Sequence, residues 1–187
     1  MSIEKLKANY PVRTRWVHFP LHPETPAEGR SLAELFPGRD LTPMRERMQS
    51  LMQEAGLAYA DRGYTYNSRL AQELGKWADT QPGGEVIHDL LYRAYFADAI
   101  NIGAIDELLK IAAAAGLDTE EAKRILQTRA FEAAVDEDWQ RARQMGITGV
   151  PTFYSHELVV VGCQPYAVLE RFVNHLLELE QQASSGS

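Results

Sequence analysis

One stretch decides the fold of this chain: Gly146-Ile147-Thr148-Gly149-Val150-Pro151-Thr152-Phe153-Tyr154. Its glycines indicate a turn, and Val150-Pro151 leads into a β-branched and aromatic run that is typical of a strand. Proline is tolerated at the first residue of a strand, because its missing N–H lies outside the ladder. A cis bond before Pro151 would give a tight reversal that leaves the Val150 backbone facing outward, where an extended peptide or thiol ligand could pair. An ordinary turn into a strand is the alternative interpretation.

The residues after this stretch predict a hairpin and a helix. Thr152–Tyr154 and Leu158–Val161 are interpreted as two short antiparallel strands around a tight turn at Ser155-His156-Glu157. Gly162-Cys163-Gln164-Pro165 then opens the last helix, with proline at or near the first helical position.

The residues before the stretch are mostly helical in pattern. Ile3, Leu6 and Tyr10 predict a short amphipathic helix, and Val12–Phe19 predicts a strand. From Ser31 to Met145 only helical periods occur, so the order is helix, strand, helical insert, hairpin and helix. We therefore predict one discontinuous domain from residues 1–30 and 146–183, an inserted helical domain at 31–145, and a disordered tail at 184–187.

One helix of the insert carries a methionine-rich stripe. Thr42-Pro43 marks its start and Gly56 follows its end. Its apolar stripe consists of Met44, Met48, Leu51, Met52 and Ala55. Such a stripe predicts a core-facing side in preference to a binding surface, although methionine-lined grooves do bind varied peptides.

Several other polar and aromatic residues give no clear site. We expect the histidines His88 and His175 to lie on solvated helix faces. We expect the same of the carboxylates Asp136, Glu137 and Asp138. The tryptophans are expected to be packing anchors, at Trp16, Trp77 and Trp139. No metal site is predicted: His18 and His22 lie at the exit of the predicted strand, with no cysteine or carboxylate cluster beside them.

The composition is that of a globular protein, with 187 residues of which 45% are hydrophobic and 24% charged. A net charge of −7 argues against nucleic acid or an anionic membrane as the main partner. No apolar run approaches the length of a membrane span, and the first residues lack the hydrophobic region of a signal peptide. The one cysteine, Cys163, excludes a disulfide within the chain and predicts a cytoplasmic location.

Five motifs follow one another along the chain: Trp16–Pro23, Ala94–Phe96, Gly116–Asp118, Gly146–Phe153 and Val161–Pro165. Together with the order of elements they resemble the DsbA family, and most closely its cytoplasmic FrnE-like branch. That branch neighbours the 2-hydroxychromene-2-carboxylate isomerases and kappa-class glutathione transferases. The resemblance implies an α/β, thioredoxin-like fold with a large all-helical insertion. It also implies that Pro151 is the cis-proline facing an active-site dithiol.

The chain departs from this family at its N-terminal end. Family members begin with a central strand that ends in Cys-x-x-Cys, whereas this chain begins inside the helix that follows, around Ile3–Leu6. The expected fold therefore lacks its first, central strand, which would lie between Val12–Phe19 and Thr152–Tyr154. Unpaired edges recruit other strands, so we expect a homo-oligomer formed by strand exchange across the gap. A rearranged sheet, a separate polypeptide in the gap, or a genuine start upstream of Met1 are the alternatives.

The missing motif shapes the expected chemistry. Thiol–disulfide exchange needs an attacking thiolate and a second thiol, so a chain with Cys163 alone is expected to be impaired or inactive in redox. Whether it is an enzyme stays open at this point. Cys163 is the candidate thiol, and a small half-buried residue without chemistry is the alternative. The candidate substrate-binding residues are Thr148, Gly149, Val150 and Pro151.

Three functions are compatible with these residues. The first is a disulfide oxidoreductase family member that acts on protein or peptide thiols. The second is a non-redox module that holds an extended peptide by strand addition at the cis-proline edge. The third is a glutathione-dependent isomerase or transferase, although those relatives place their glutathione-activating serine or cysteine in the same missing segment. Glutathione is the one cofactor considered.

Overall fold

The structure, a computed structural model, describes residues 2–185 and contains short sheets among many helices. In chain order the elements are α1 (Ser2–Asn9), β1 (Arg30–Ser31), α2 (Leu32–Leu35), α3 (Thr42–Glu54), β2 (Tyr64–Thr65), α4 (Arg69–Ala78), α5 (Val86–Phe96), α6 (Ile105–Ala114), α7 (Thr119–Thr128), α8 (Glu132–Gln144), β3 (Thr152–Ser155), β4 (Leu158–Val161) and α9 (Tyr166–Ser185).

The chain divides into two compact units. The hairpin unit consists of Met1–Phe19 and Gln140–Ser187, and the helical unit of Pro20–Trp139. The domain boundaries predicted after residues 30 and 145 lie elsewhere than these divisions. Residues 184–185 of the predicted disordered tail belong to α9, which extends to Ser185. Gly186 and Ser187 lie outside the described residues.

The predicted hairpin is present. β3 pairs with β4 in an antiparallel register that places Phe153 opposite Val160 and Tyr154 opposite Val159. The two turn residues, His156 and Glu157, have φ values of +48° and +65°. Two successive positive φ values are those of a two-residue hairpin turn whose twist matches the twist of the strands.

The predicted strand at Val12–Phe19 is not formed. Residues 11–20 have no regular secondary structure, and Trp16, expected to be a packing anchor, is 42% exposed. A strand exists only where its backbone groups find a neighbouring strand. Both sheets of the described residues are two-stranded, β1 with β2 and β3 with β4, and neither includes this segment. The described residues therefore hold no pair of strands flanking a central gap.

The helical unit is built around one apolar core from α4, α5, α6 and α7. Its centre consists of the side chains of Leu74, Ile87, Leu108 and Ile125, which are at most 1% exposed. Each comes from a helical stripe with three- and four-residue spacing, so the stripes face one another. Trp77, at 3% exposure, is a packing anchor as predicted.

The hairpin unit has a smaller core. Leu6 of α1 packs with Leu169 and Val173 of α9. Phe153 and Val160 add the inner face of the hairpin to this cluster. α1, α9 and the β3–β4 hairpin thus form one layered arrangement that carries the Gly146–Pro151 loop.

Two polar residues that we expected to be solvated are buried. His88 is 5% exposed, with Nε2 2.7 Å from Oδ1 of Asp79. Asp138 is 3% exposed, with Oδ2 2.8 Å from Nζ of Lys76. A buried polar side chain needs a hydrogen-bonding partner, and in both cases the partner comes from another part of the chain. The sequence pattern predicted the helices that carry His88 and Asp138, but not these partners.

The methionine stripe of α3 faces solvent. Met44 and Met48 are 48% and 38% exposed, and Leu51 is 43% exposed. The helix has no buried residue. The prediction of a core-facing stripe is therefore wrong, because within the described residues no other element covers this side of α3.

Among residues 2–185, no helix combines the length and the apolar character that crossing a membrane requires.

Candidate functional site

The candidate site is the loop at Gly146–Pro151, which joins α8 to β3. Gly146 ends α8 with φ at +65°, a backbone conformation that glycine adopts without steric cost. The Val150–Pro151 peptide bond is cis. The four predicted binding residues, Thr148 to Pro151, are consecutive in this loop and lie immediately before the first residue of β3.

Two hydrogen bonds hold the loop in place. The backbone amide of Gly162 donates to the carbonyl oxygen of Pro151 at 2.8 Å. The hydroxyl of Thr152 donates to the carbonyl oxygen of Gly149 at 2.7 Å. These bonds fix the residues on both sides of Val150, so its position is set by the hairpin that follows.

Val150 itself offers unpaired backbone. Within residues 2–185, neither its amide nor its carbonyl has a hydrogen-bond partner. Its side chain is 51% exposed. An exposed N–H and C=O on a loop held at both sides form a pre-positioned pair of hydrogen-bonding groups.

The strand that follows has one free edge. β3 pairs only with β4 among the described residues, which leaves its other edge without a strand. The outer face of the hairpin is apolar and open to solvent: Tyr154 is 42%, Val159 47% and Val161 59% exposed. Sequence reasoning did not select these three residues, although the alternation of β4 and the inward side chain at Phe153 could have indicated them.

Cys163 lies close to the loop in the chain. It follows Gly162, whose amide bonds to Pro151, and precedes the start of α9. Its side chain is exposed, in contrast to the half-buried residue of the alternative interpretation. The neighbouring Gln164 donates from Nε2 to the carbonyl oxygen of Val161 at 2.7 Å, which ties this segment to β4.

The surroundings of Cys163 contain little that would activate a thiol. In the part of the chain that the structure describes, no side chain hydrogen-bonds its sulfur. The nearest histidine along the chain, His156, lies within hydrogen-bonding distance of Ser155, at 3.0 Å from Nδ1 to Oγ. Residues 2–185 contain no group of three His, Cys, Asp or Glu side chains arranged to hold a metal ion. The arrangement therefore supports binding through backbone groups more directly than chemistry at this thiol.

Comparison with known proteins gives the family context. The uncharacterized protein YwbO of Bacillus subtilis is 32% identical over 106 residues, which are 56% of this chain and 53% of that protein. The match therefore spans about half the length of this curated relative.

Solved structures share the fold. A crystal structure described as a probable DsbA oxidoreductase from Streptomyces coelicolor matches with a TM-score of 0.84 and 27% identity. The match covers 93% of this chain and 81% of that one. A 2-hydroxychromene-2-carboxylate isomerase matches with a TM-score of 0.72 over 99% of this chain and 90% of its own, and at 18% identity it shows the fold alone.

The sequence profile of the DSBA-like thioredoxin domain matches residues 1–174. Since this match covers most of the chain, and since the loop, the hairpin and the helical unit occur in the order that the family resemblance implies, the chain belongs to the DSBA-like thioredoxin domain family.

Proposed function

We propose that this chain, as a member of the FrnE-like branch of its family, holds an extended segment of a partner polypeptide during thiol–disulfide exchange. One observation carries the proposal: the unpaired amide and carbonyl of Val150, next to a β3 edge that has no strand partner within residues 2–185. An extended peptide satisfies such groups with its own main chain, and alternate side chains of the peptide then meet the protein surface. Thr148, Gly149 and Pro151 complete the binding loop.

The exchange itself needs two thiols. A thiolate attacks one sulfur of a disulfide, forms a mixed disulfide and releases the other sulfur as a thiolate. A second thiol then attacks the sulfur of the first thiol in the mixed disulfide. The substrate sulfur leaves as a thiolate, which completes the transfer of two electrons. Residues 1–187 contain Cys163 alone. We therefore assign substrate holding to these residues and the dithiol to a partner outside them.

A non-redox peptide-binding module is the second candidate, and the single cysteine favours it. Both candidates use the same loop and the same β3 edge. They differ in what happens to a disulfide in the bound polypeptide, which stays intact in a pure binding module. The rate of disulfide reduction therefore separates the two.

The binding step is tested with carboxymethylated insulin B chain, an extended peptide that has no free thiol. Val150→Pro removes the amide donor, whereas Val150→Ala keeps the backbone and shortens only the side chain. We expect Val150→Pro to weaken binding about tenfold, as for one lost hydrogen bond, and Val150→Ala to change it less than about threefold. Fluorescence anisotropy measures both, with circular dichroism as the check of folding. Equal binding by Val150→Pro and the unchanged chain would refute the proposed edge.

The redox step is tested by reduction of insulin with dithiothreitol as the external dithiol. We expect the chain to accelerate reduction, Val150→Pro to lose the acceleration, and Cys163→Ser to keep it. An unchanged rate together with intact peptide binding would favour the non-redox module. Acceleration that disappears in Cys163→Ser would overturn the division of roles, because the thiol of this chain would then carry the exchange.

A further inference from the structure

The exposed side of α3 has the layout of a helix-pairing surface. We define the α3 seam as Met44, Met48, Leu51 and Ala55, all of which are exposed. On one flank of the seam, Arg45 and Met52 are half-buried, and Nε of Arg45 lies 3.4 Å from Oδ1 of Asp61. The remaining residues of α3 are exposed, and the seam is the exposed side that is apolar, since the far side of the helix carries Glu46, Ser50 and Gln53.

The spacing of the seam is that of a coiled coil. Its members are separated by four, three and four residues, which corresponds to successive d, a, d and a positions of a heptad. A helix that only faces water has no need of apolar residues at these positions. The pattern therefore indicates a second helix that packs along the seam.

The charged residues beside the seam indicate which partner helix fits the seam, and in which orientation. Arg47 and Glu54 are exposed and occupy the two g positions on one flank, one in each half of the helix. In an antiparallel pair of identical helices, g positions face each other across the interface. Arg47 of each copy then lies opposite Glu54 of the other, which gives two equivalent ion pairs. A parallel pair would instead place Arg47 opposite Met52 and lose both pairs.

The same antiparallel register matches the apolar residues. It places Met48 opposite Leu51 of the second copy, twice, in the centre of the interface. It places Met44 opposite Ala55 of the second copy at both ends, so that each long side chain meets a short one. Apolar packing and charge pairing thus agree on a single register, which a chance arrangement has no reason to satisfy.

We propose that the α3 seam is the interface of an antiparallel homodimer, with a second copy of this chain as its occupant. α3 runs over Thr42–Glu54, about 20 Å at 1.5 Å per residue. A pair of helices this short buries less surface than a standard interface, which sets the expected dissociation constant in the micromolar range or weaker. This interface is independent of the β3 edge and of the binding loop.

Sedimentation equilibrium on the full chain, from about 1 μM to about 1 mM, tests the proposal. Met48→Glu places two like charges in the centre of the interface, and we expect it to remain monomeric throughout. Gln53→Glu adds the same charge on the outer side of α3 and serves as the matched control, with dimerisation like that of the unchanged chain. Both positions are exposed, so circular dichroism should show an unaltered fold for either variant.

A charge exchange tests the register. Arg47→Glu and Glu54→Arg each create two like-charge contacts, and we expect each to raise the dissociation constant about tenfold. The double variant restores opposite charges in the antiparallel register and should return to within about threefold of the unchanged chain. A chain that is monomeric at about 1 mM, a dimer that tolerates Met48→Glu, or a double variant as weak as the single ones would each overturn the proposal.

Discussion

Glu73 is the residue that organises the polar interior of the helical unit. Its side chain is fully excluded from water. Its carboxylate accepts a hydrogen bond from Nε of Arg69 at 2.9 Å and from Nη2 of Arg129 at 2.6 Å. The hydrogen bond to Glu73 raises the pKa of Arg129. A buried carboxylate is tolerated here because two guanidinium groups compensate it.

Replacing Glu73 should therefore be costly. Glu73→Gln leaves Arg69 and Arg129 without their shared counter-charge, and we expect a loss of about 3 kcal/mol in the free energy of unfolding. The estimate lies at the lower end for a broken buried pair because Arg129 reaches solvent, with a side-chain exposure of 39%. Urea unfolding followed by circular dichroism measures the change.

Glu132→Gln is the matched control for Glu73→Gln. Glu132 lies 3.2 Å from Nη2 of the same Arg129, but its side chain is 51% exposed. An exposed ion pair contributes at most about 1 kcal/mol, so this variant should unfold nearly like the unchanged chain. Similar losses for both variants would show that burial does not decide the role of Glu73.

Glu34 gives a second prediction at the residue scale, on pH. The Ser31 hydroxyl donates to Glu34 Oε2 at 2.8 Å and the Ser31 amide at 3.0 Å, and these bonds lower the pKa of Glu34. A lowered pKa in the folded state means that the stabilisation is present above the unfolded pKa of about 4.3 and is lost as pH falls through the folded value.

The Glu34 carboxyl should therefore titrate below about 4.3 in an NMR experiment. Ser31→Ala removes the hydroxyl donor and keeps the amide, so the midpoint should move part of the way up. Ser50→Ala, a serine-to-alanine change at an exposed position of α3, is the control and should leave the midpoint where it is. A midpoint unaffected by Ser31→Ala would assign the shift to other groups.

At the residue scale, features that neighbouring residues determine could be predicted from sequence, whereas features that depend on distant contacts could not. The Thr148–Pro151 loop could be selected from sequence because glycine and proline mark their own backbone geometry. The burial of Asp138 could not be predicted, since its partner Lys76 is distant in sequence and no neighbouring residue indicates the ion pair. The unpaired backbone of Val150 became visible only once the hydrogen bonds of Gly149 and Pro151 were known.

At the scale of elements, the helices follow from their own sequences. Asp118 illustrates why: its Oδ1 accepts hydrogen bonds from the amides of Glu120 at 2.9 Å and Glu121 at 3.0 Å, and so caps α7. The preceding Gly116 ends α6 with φ at +73°. Strands outside a tight hairpin such as β3–β4 have no such local signature. The two-residue strands β1 and β2 were missed and Val12–Phe19 was wrongly predicted, because a strand depends on a partner elsewhere in the chain.

The cap of α7 gives a prediction at this scale. Asp118→Ala removes both side-chain hydrogen bonds, and we expect it to lower the free energy of unfolding by about 1 kcal/mol. Asp118→Asn keeps an acceptor oxygen and should stay within about 0.5 kcal/mol of the unchanged chain. Thermal or urea unfolding distinguishes the two. If both variants lost the same stability, the negative charge and not the hydrogen bonds would be the source of the effect.

At the scale of the whole molecule, the two units differ in the size of their cores. The described core of the helical unit contains thirteen buried apolar residues, from Ala71 to Leu126. That of the hairpin unit contains three, Leu6, Leu169 and Val173. Because stabilisation increases with the apolar surface removed from water, the two units should differ in their resistance to opening. The proposed binding loop lies in the unit with the smaller core.

Native-state hydrogen exchange should reveal this difference. We expect the amides of α4, α6 and α7 to open with a higher free energy than those of β3, β4 and α9, because the first group surrounds the larger core. Mass spectrometry of exchanged peptides assigns the protection to each element. Ile125→Ala leaves a cavity in the larger core and should lower the protection of α4 and α7 by about 3 kcal/mol, since the isoleucine is 1% exposed. Equal protection of β3 and α4 in the unchanged chain would contradict the ranking, and with it the assignment of the proposed binding loop to the less stable unit.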